Sequence, residues 1–266
     1  MKKTKSGLST THLILLSFLA AIFVGALLLC LPISSASGQW VPFTDALFTS
    51  TTATCVTGLV VVPTVSSWSL FGQVVILILI QIGGLGIITV MSGIAVAFHR
   101  RMGLSDRLLL QDVFNLNTLS GLVRFLKKVI LGTFVIEGIG ALLYMTVFVP
   151  QFGAKGIWIS VFTSISAFCN AGIDIIAENS LCGYVNNPII NFVTSALIIL
   201  GGIGYIVWWD VIRVMRNFNR QGFACFKRMT LQSKLAISVT AFLIIAGAAA
   251  VFVLEYNNPS TLGGHS

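Results

Sequence analysis

Long apolar stretches alternate with short polar or basic ones along this chain. Five of them, Thr11–Leu31, Leu70–Phe98, Val129–Val149, Pro188–Asp210 and Leu235–Leu254, reach the roughly 20 mostly apolar residues that a helix needs to cross a bilayer. Two shorter apolar segments, Phe43–Ala53 and Ile157–Phe168, are too short to span. Each runs into a polar, glycine-ended motif: TTATCVTG at Thr51–Gly58 and SISAFCNAG at Ser164–Gly172. Composition agrees with this pattern. Hydrophobic residues make up 56% of the chain and charged residues 9%, against about 25% charged in a soluble domain, and the mean hydropathy is +0.96. The fold class predicted is all-α integral membrane.

Net charge is +8, but its placement argues against a nucleic-acid partner. Lys2, Lys3 and Lys5 precede the first span. Arg100, Arg101, Arg107, Arg124, Lys127 and Lys128 lie between spans two and three, and Arg213, Arg216, Arg220, Lys227, Arg228 and Lys234 between spans four and five. Basic residues thus gather in alternate connections, with Lys155 apart. That asymmetry predicts a multi-pass cell-membrane protein whose N-terminus and both basic linkers face the cytoplasm. No aromatic-basic module of the kind that reads nucleic acid accompanies them. The first apolar run is longer than the 7–15 residue core of a signal peptide. Cys30, Cys55, Cys169, Cys182 and Cys225 show no C-x-x-C spacing and no His partner, so neither a metal site nor a disulfide framework is expected.

The chain repeats itself. TSTTATCVTGLVVVPTVS at Thr49–Ser66 aligns with TSISAFCNAGIDIIAENS at Thr163–Ser180, offset 114. IQIGGLGIITV at Ile80–Val90 matches IILGGIGYIVW at Ile198–Trp208, offset 118, and GALLL at Gly25–Leu29 matches GALLY at Gly140–Tyr144, offset 115. Three blocks in one order mark a duplicated span–loop–span unit. The expected organisation is a first unit over residues 1–99, a cytoplasmic linker over 100–128, a second unit over 129–216, a second linker over 217–234, and the start of a third unit over 235–266.

Each short segment then reads as a helix that enters and leaves on the outer face, because non-helical backbone at membrane depth is tolerated only where protein buries it or it lines a watery cavity. Pro42, Thr44 and Asp45 mark the start of the first, with Thr44 as its N-cap. A permeating cation exchanges its water shell for oxygen ligands, and backbone carbonyls can supply them. Glycine allows the unusual dihedrals and close approach this needs, and Gly58 and Gly172 are placed for it. The C-terminal end of the preceding helix is partly negative and favours a cation. Asp174 and Glu178 are either outer-vestibule attractors or ordinary solvated loop charges.

TTATCVTGLVVV, QIGGLGIITV, the linker LSDRLLLQDVFNLNTLSGLVR and SAFCNAG together resemble the membrane subunit of Trk/Ktr-type potassium uptake systems, the Ktr type most of all, over Leu13 to Leu254. The resemblance implies four span–loop–span units around one pore, potassium-channel-like, of which this chain holds two and the start of a third. It implies a filter glycine in each loop, here Gly58 and Gly172, with potassium coordinated by carbonyls of Val56 and Thr57 and of Asn170 and Ala171. Cys55 and Cys169 would lie a step deeper. It further implies a homodimer of full-length pore subunits on a cytoplasmic nucleotide-binding regulatory ring. The basic linkers Arg100–Lys128 and Arg213–Lys234 are candidate contacts for that ring, or merely fix topology beside anionic lipid. No cofactor is expected; potassium is the transported ion and sodium a further candidate. Because the third unit is only begun, the chain is read as an N-terminal fragment.

Other features leave alternatives open. Glu137, an acid inside the third span, either pairs with a neighbouring helix or coordinates an ion. GGLG at Gly83–Gly86 and GGIG at Gly201–Gly204 serve close helix packing or a hinge. Trp208 and Trp209 read as interfacial anchors. His12, His99 and His265 suggest no ligand set, and no nucleophile or catalytic carboxylate pair supports an enzyme. Two rival readings are a secondary transporter of a small solute, disfavoured because both repeats share one orientation, and a non-transporting membrane assembly subunit.

Overall fold

The computed structural model describes residues 10–86, 89–90, 92, 122–216, 228–256 and 258. Lys2, Lys3, Lys5, His99, Arg100, Arg101, Arg107, Arg220, Cys225, Lys227 and His265 lie outside the described residues. The chain divides into two bodies, Met1–Gly202 and Ile203–Ser266. The first contains α1 (Thr10–Cys30), α2 (Phe43–Cys55), α3 (Leu70–Leu85), α4 (Leu122–Phe152), α5 (Ala154–Phe168) and α6 (Pro188–Gly202). The second contains α7 (Tyr205–Met215) and α8 (Leu231–Glu255). Outside the helices, Ser35 and Trp68 form an isolated antiparallel bridge. Val123–Phe152 and Leu231–Glu255 are long and apolar enough to cross a membrane, while Ile14–Cys30, Leu70–Leu85 and Ala154–Phe168 are shorter apolar helices.

Leu15, Leu19 and Phe23 on α1, and Leu131, Phe134 and Leu142 on α4, are exposed. Apolar side chains facing outward on helix after helix suit a hydrocarbon solvent rather than water.

Helix boundaries depart from expectation in several places, and α4, at Leu122–Phe152, runs past the expected span Val129–Val149 at both ends. The apolar run from Leu70 to Phe98 does not continue as one helix, because α3 ends at Leu85 and Gly86 takes φ +80°. The run from Pro188 to Asp210 breaks likewise, at Gly204 with φ +91°. Gly86 and Gly204 are equivalent in the repeat, and their left-handed backbone, cheap only for glycine, stops each helix at the same place. At α2 the N-cap is Pro42, not Thr44: its carbonyl accepts from the amides of Asp45 and Ala46, both at 3.1 Å. Proline's fixed φ, here −52°, starts the helix early. Thr44 is left in the first turn, where its Oγ1 donates to Asp45 Oδ1 at 3.4 Å.

Within the first body, α1, α2 and α3 pack together, and α4, α5 and α6 do the same. The contacts are the same contacts. Ser50 Oγ on α2 donates to the Ile22 carbonyl of α1 at 2.7 Å, and Ser164 Oγ on α5 donates to the Glu137 carbonyl of α4 at 2.6 Å. A Cβ at Gly25 would strike Ser50 Oγ and Leu79; one at Gly140 would come within 2.5 Å of Ser164 Oγ and 2.8 Å of Leu197. Glycine on the long helix thus lets the short one sit close enough for its serine to reach a helix carbonyl. Between the two groups, Trp158 Nε1 donates to Gln73 Oε1 at 2.8 Å. Tyr144 and Phe148 stack in the second group, centroids 5.6 Å apart, and Tyr144 Oη bonds Thr194 Oγ1 at 2.6 Å.

In the second body, Asp210 on α7 is the organising group. It pairs with Arg213 and accepts from the backbone amide of Thr230 at 2.7 Å and from Thr230 Oγ1 at 2.9 Å. Thr230 in turn caps α8, accepting from the Ser233 amide at 3.3 Å. Trp208 is buried edge-on against Tyr205, 5.3 Å between centroids, which does not suit the interfacial anchor expected of it.

Gly140→Ala should lower the thermal midpoint of the purified protein, at a cost of about 1–3 kcal/mol for overpacking. Gly138, two residues away on the same helix, has open space where a Cβ would stand, with no atom within 4 Å. Gly138→Ala should therefore leave the midpoint unchanged or raise it slightly. Equal losses would contradict the close-approach account.

Candidate functional site

The two glycine-ended motifs are each built on one hydroxyl residue inside the preceding short helix. On the first, Thr52 holds the loop. Its carbonyl accepts from the Thr57 amide at 3.0 Å, and its Oγ1 bonds Thr57 Oγ1 at 2.5 Å and accepts from the Leu59 amide at 3.1 Å. On the second, Ser166 stands at the equivalent place. Its carbonyl accepts from the Ala171 amide at 2.8 Å, and its Oγ donates to the Ile173 carbonyl at 2.5 Å. Leu59 and Ile173 are themselves equivalent, so the same side chain clamps the same downstream residue, once through its amide and once through its carbonyl.

This clamp forces the backbone out of the helix within a residue or two. Val56 turns left-handed at φ +57°, ψ +46°, and its counterpart Asn170 does so at φ +61°. Asparagine tolerates that region, whereas a β-branched valine is strained there. Gly58 follows at φ +79° and Gly172 at φ +66°. Val56 and Asn170, and likewise Gly58 and Gly172, therefore share a positive φ at matching places.

The structure also brings the two loops together. A Cβ on Gly58 would lie 2.7 Å from the Ala171 carbonyl oxygen, and one on Gly172 would lie 3.7 Å from Gly58 Cα. Only a glycine at position 58 allows so close an approach. Gly58, Ala171 and Gly172 thus form the junction, with Val56, Thr57 and Asn170 just before it on their respective stretches of backbone. Cys55 is exposed and Cys169 buried, so the two equivalent thiols have different surroundings.

Below the loops, the short helices end on glycine faces. A Cβ at Gly83 would collide with the Thr54 carbonyl, and one at Gly201 with the Phe168 carbonyl, again equivalent positions. Gly84 sits instead against the side chain of Cys169. The first glycines of GGLG and GGIG thus serve close packing, and the last breaks the helix.

One charged group, Asp174, lines a cavity together with Asn170, Gly172 and Ser166. Asp174 is tied into its own turn, Oδ1 accepting from the Ile176 amide at 3.1 Å and Oδ2 from Ser180 Oγ at 2.5 Å. These bonds order the turn that follows Gly172. Glu137 is buried and its carboxylate accepts from Gln81 Nε2 at 3.0 and 3.3 Å, which is the pairing alternative of the two open for it. Among the described residues no three or more His, Cys, Asp or Glu side chains converge as a metal site. Where the loops meet, the neighbouring groups that Gly58 and Gly172 approach are backbone atoms of the opposite loop. Sequence reasoning missed Thr52, Ser166, Ser50, Ser164 and Gln81; the first four fall at offset 114 in the aligned blocks, which is the signal that marks them.

Residues 6–257 match the TrkH family, described as cation transport protein. The chain is 39% identical over 264 residues to the potassium/sodium uptake protein NtpJ of Enterococcus hirae, covering 99% of this chain and 56% of that one. It is 42% identical over 250 residues to the Ktr system potassium uptake protein B of Bacillus subtilis, covering 93% and 53%. It is 35% identical over 263 residues to the Ktr system potassium uptake protein B of Vibrio alginolyticus, covering 98% and 56%. A family match over nearly the whole chain, on an all-helical apolar framework, defines a membrane protein of a family described as cation transport protein. The chain belongs to the TrkH family, as a Trk/Ktr-type membrane subunit. It spans about half the length of the curated relatives it matches.

Ser166→Ala would leave the buried Ile173 carbonyl without its hydroxyl donor, at a cost of about 1–3 kcal/mol. Thermal unfolding of the purified variant should show that loss, and Ser166→Thr should recover most of it. A variant as stable as wild type would mean that the hydroxyl does not hold the loop.

Proposed function

We propose that this chain forms part of the ion pathway of a potassium uptake system, driven by the membrane potential, with sodium as a further candidate ion. The observation that carries the reading is the convergence of two equivalent loops at Gly58 and Gly172, each released from its helix by the same clamp. Carbonyls of Val56 and Thr57, and of Asn170 and Ala171, are the proposed potassium ligands, replacing the ion's water without a carboxylate. The C-terminal ends of α2 and α5 supply the partial negative charge that favours a cation there. The names of the relatives, potassium and potassium/sodium uptake proteins, support the choice of ion.

In this reading each short helix and its loop make a pore loop, and the complete filter has four loops. Gly58 and Gly172 supply two, and the other two belong to sequence corresponding to the remainder of the relatives' length. Sequencing the genomic DNA past Ser266 tests this: an open frame with two further glycine-ended loops supports it, and a frame without them contradicts it. The charge asymmetry favours a cytoplasmic side for the N-terminus and for the basic residues Arg124, Lys127, Lys128, Arg228 and Lys234. There they are candidate contacts for a nucleotide-binding regulatory ring, on which a homodimer of full-length pore subunits would sit. The name "Ktr system" carried by two relatives supports a multi-component assembly.

Gly58→Ser, tested in the full-length polypeptide in a potassium-uptake-deficient strain, should weaken the preference for rubidium and potassium over sodium. A side chain at φ +79° against the Ala171 carbonyl displaces one ligand strand from the other. Unchanged discrimination with normal uptake would remove Gly58 from the filter. Absence of any rubidium uptake by the wild-type full-length protein would favour the assembly-subunit reading instead.

A further inference from the structure

The repeat is broken at one buried polar group. The Glu137 carbonyl accepts from Ser164 just as the Ile22 carbonyl accepts from Ser50, so the backbone role at this position is duplicated. The side-chain role is not. Ile22 is apolar, whereas Glu137 is a carboxylate only 4% exposed. Its partner Gln81 is equally particular to the first repeat, since Ile199 stands at the matching place in the second. An acid and an amide in an apolar interior are expensive to keep, and such groups mark function by default.

Their geometry defines a direction. A carboxylate without a proton only accepts hydrogen bonds, so the Gln81 amide turns its Nε2 to Glu137, at 3.0 and 3.3 Å. That leaves Gln81 Oε1 facing the other way, where it accepts from Cys169 Sγ at 3.9 Å. Cys169 is buried, rests against Gly84 of α3, and immediately precedes left-handed Asn170. Three side chains therefore run from α4, through α3 of the other repeat, to the root of the second loop. The first loop has no such tie at Cys55, which is exposed.

We propose that the Glu137–Gln81–Cys169 chain sets the register of the second loop against Gly58, which makes Glu137 and Gln81 positioning residues for ion discrimination. The inference rests on the reading of these loops as a filter. Glu137 itself touches no ion; it fixes which way the Gln81 amide faces, and the amide fixes Cys169. Because the tie crosses from one repeat to the other, it couples the two ligand strands that meet at the junction.

The test uses the full-length protein with Gln81→Leu, Glu137→Leu, and the exchange of Gln81→Glu with Glu137→Gln. The exchange keeps an amide–carboxylate pair and still offers Cys169 an acceptor. Two quantities are read: potassium-over-sodium discrimination from rubidium uptake under sodium competition, and labelling of Cys169 by a permeant maleimide, followed by peptide mass spectrometry. Each single variant should lose discrimination by about tenfold, the scale of one lost buried hydrogen bond to a charged group, and should raise Cys169 labelling. The exchange should restore both towards wild type. Normal discrimination with protected Cys169 in Gln81→Leu would overturn the proposal. If the single variants fail to accumulate, the exchange decides alone, and loss of discrimination there would equally overturn it. Labelling needs no transport, so a protein that moves no rubidium but shows this labelling pattern would contradict the filter reading while leaving the tie intact.

Discussion

Inside a hydrocarbon layer a chain that leaves the helix must find partners for its amides and carbonyls within the protein. Much of this architecture follows from that constraint. Val56–Gly58 and Asn170–Gly172 are not helical, and one residue of the helix before each, Thr52 or Ser166, accepts the Thr57 or Ala171 amide on its carbonyl. Those helices must in turn be gripped from the side, and Ser50 and Ser164 grip them through carbonyls of α1 and α4. The grip requires close approach, which Gly25 and Gly140 permit. Loop, clamp, grip and glycine face form one dependent series, present twice.

The duplication is close but not complete, and the differences carry information. Asn170 relieves a left-handed position that Val56 occupies under strain. Cys169 is buried and tied, while Cys55 is exposed. A symmetric framework with unequal loops can present one set of backbone oxygens while tuning each strand separately. Under the proposed function, such tuning would act through small shifts in carbonyl position.

Much of this is legible in the sequence, for a physical reason. Membrane helices and duplicated blocks leave strong periodic signals, so residue types and spacing place the middles of α1, α4 and α8, the short helices α2 and α5 and the glycines that end the two motifs, while α4 runs past the expected Val129–Val149 at both ends. Three things cannot be read in this way. Apolar runs through GGLG and GGIG look continuous, because hydropathy does not report the positive φ of Gly86 and Gly204. Pro42 and Thr44 both favour a helix start, and only the backbone shows that the proline carbonyl takes the capping role. Glu137 stands out as costly, but its partner Gln81 lies 56 residues away and no local pattern names it.

The proposed function requires that the backbone around Gly58 and Gly172 bind a potassium-sized cation directly. Anomalous diffraction from crystals of the full-length protein grown in rubidium tests it without relying on transport. A rubidium peak within coordination distance of carbonyls from Val56–Thr57 and from Asn170–Ala171 is the expected result. A well-diffracting crystal with ordered loops and no peak there, or with its rubidium bound elsewhere, would contradict it.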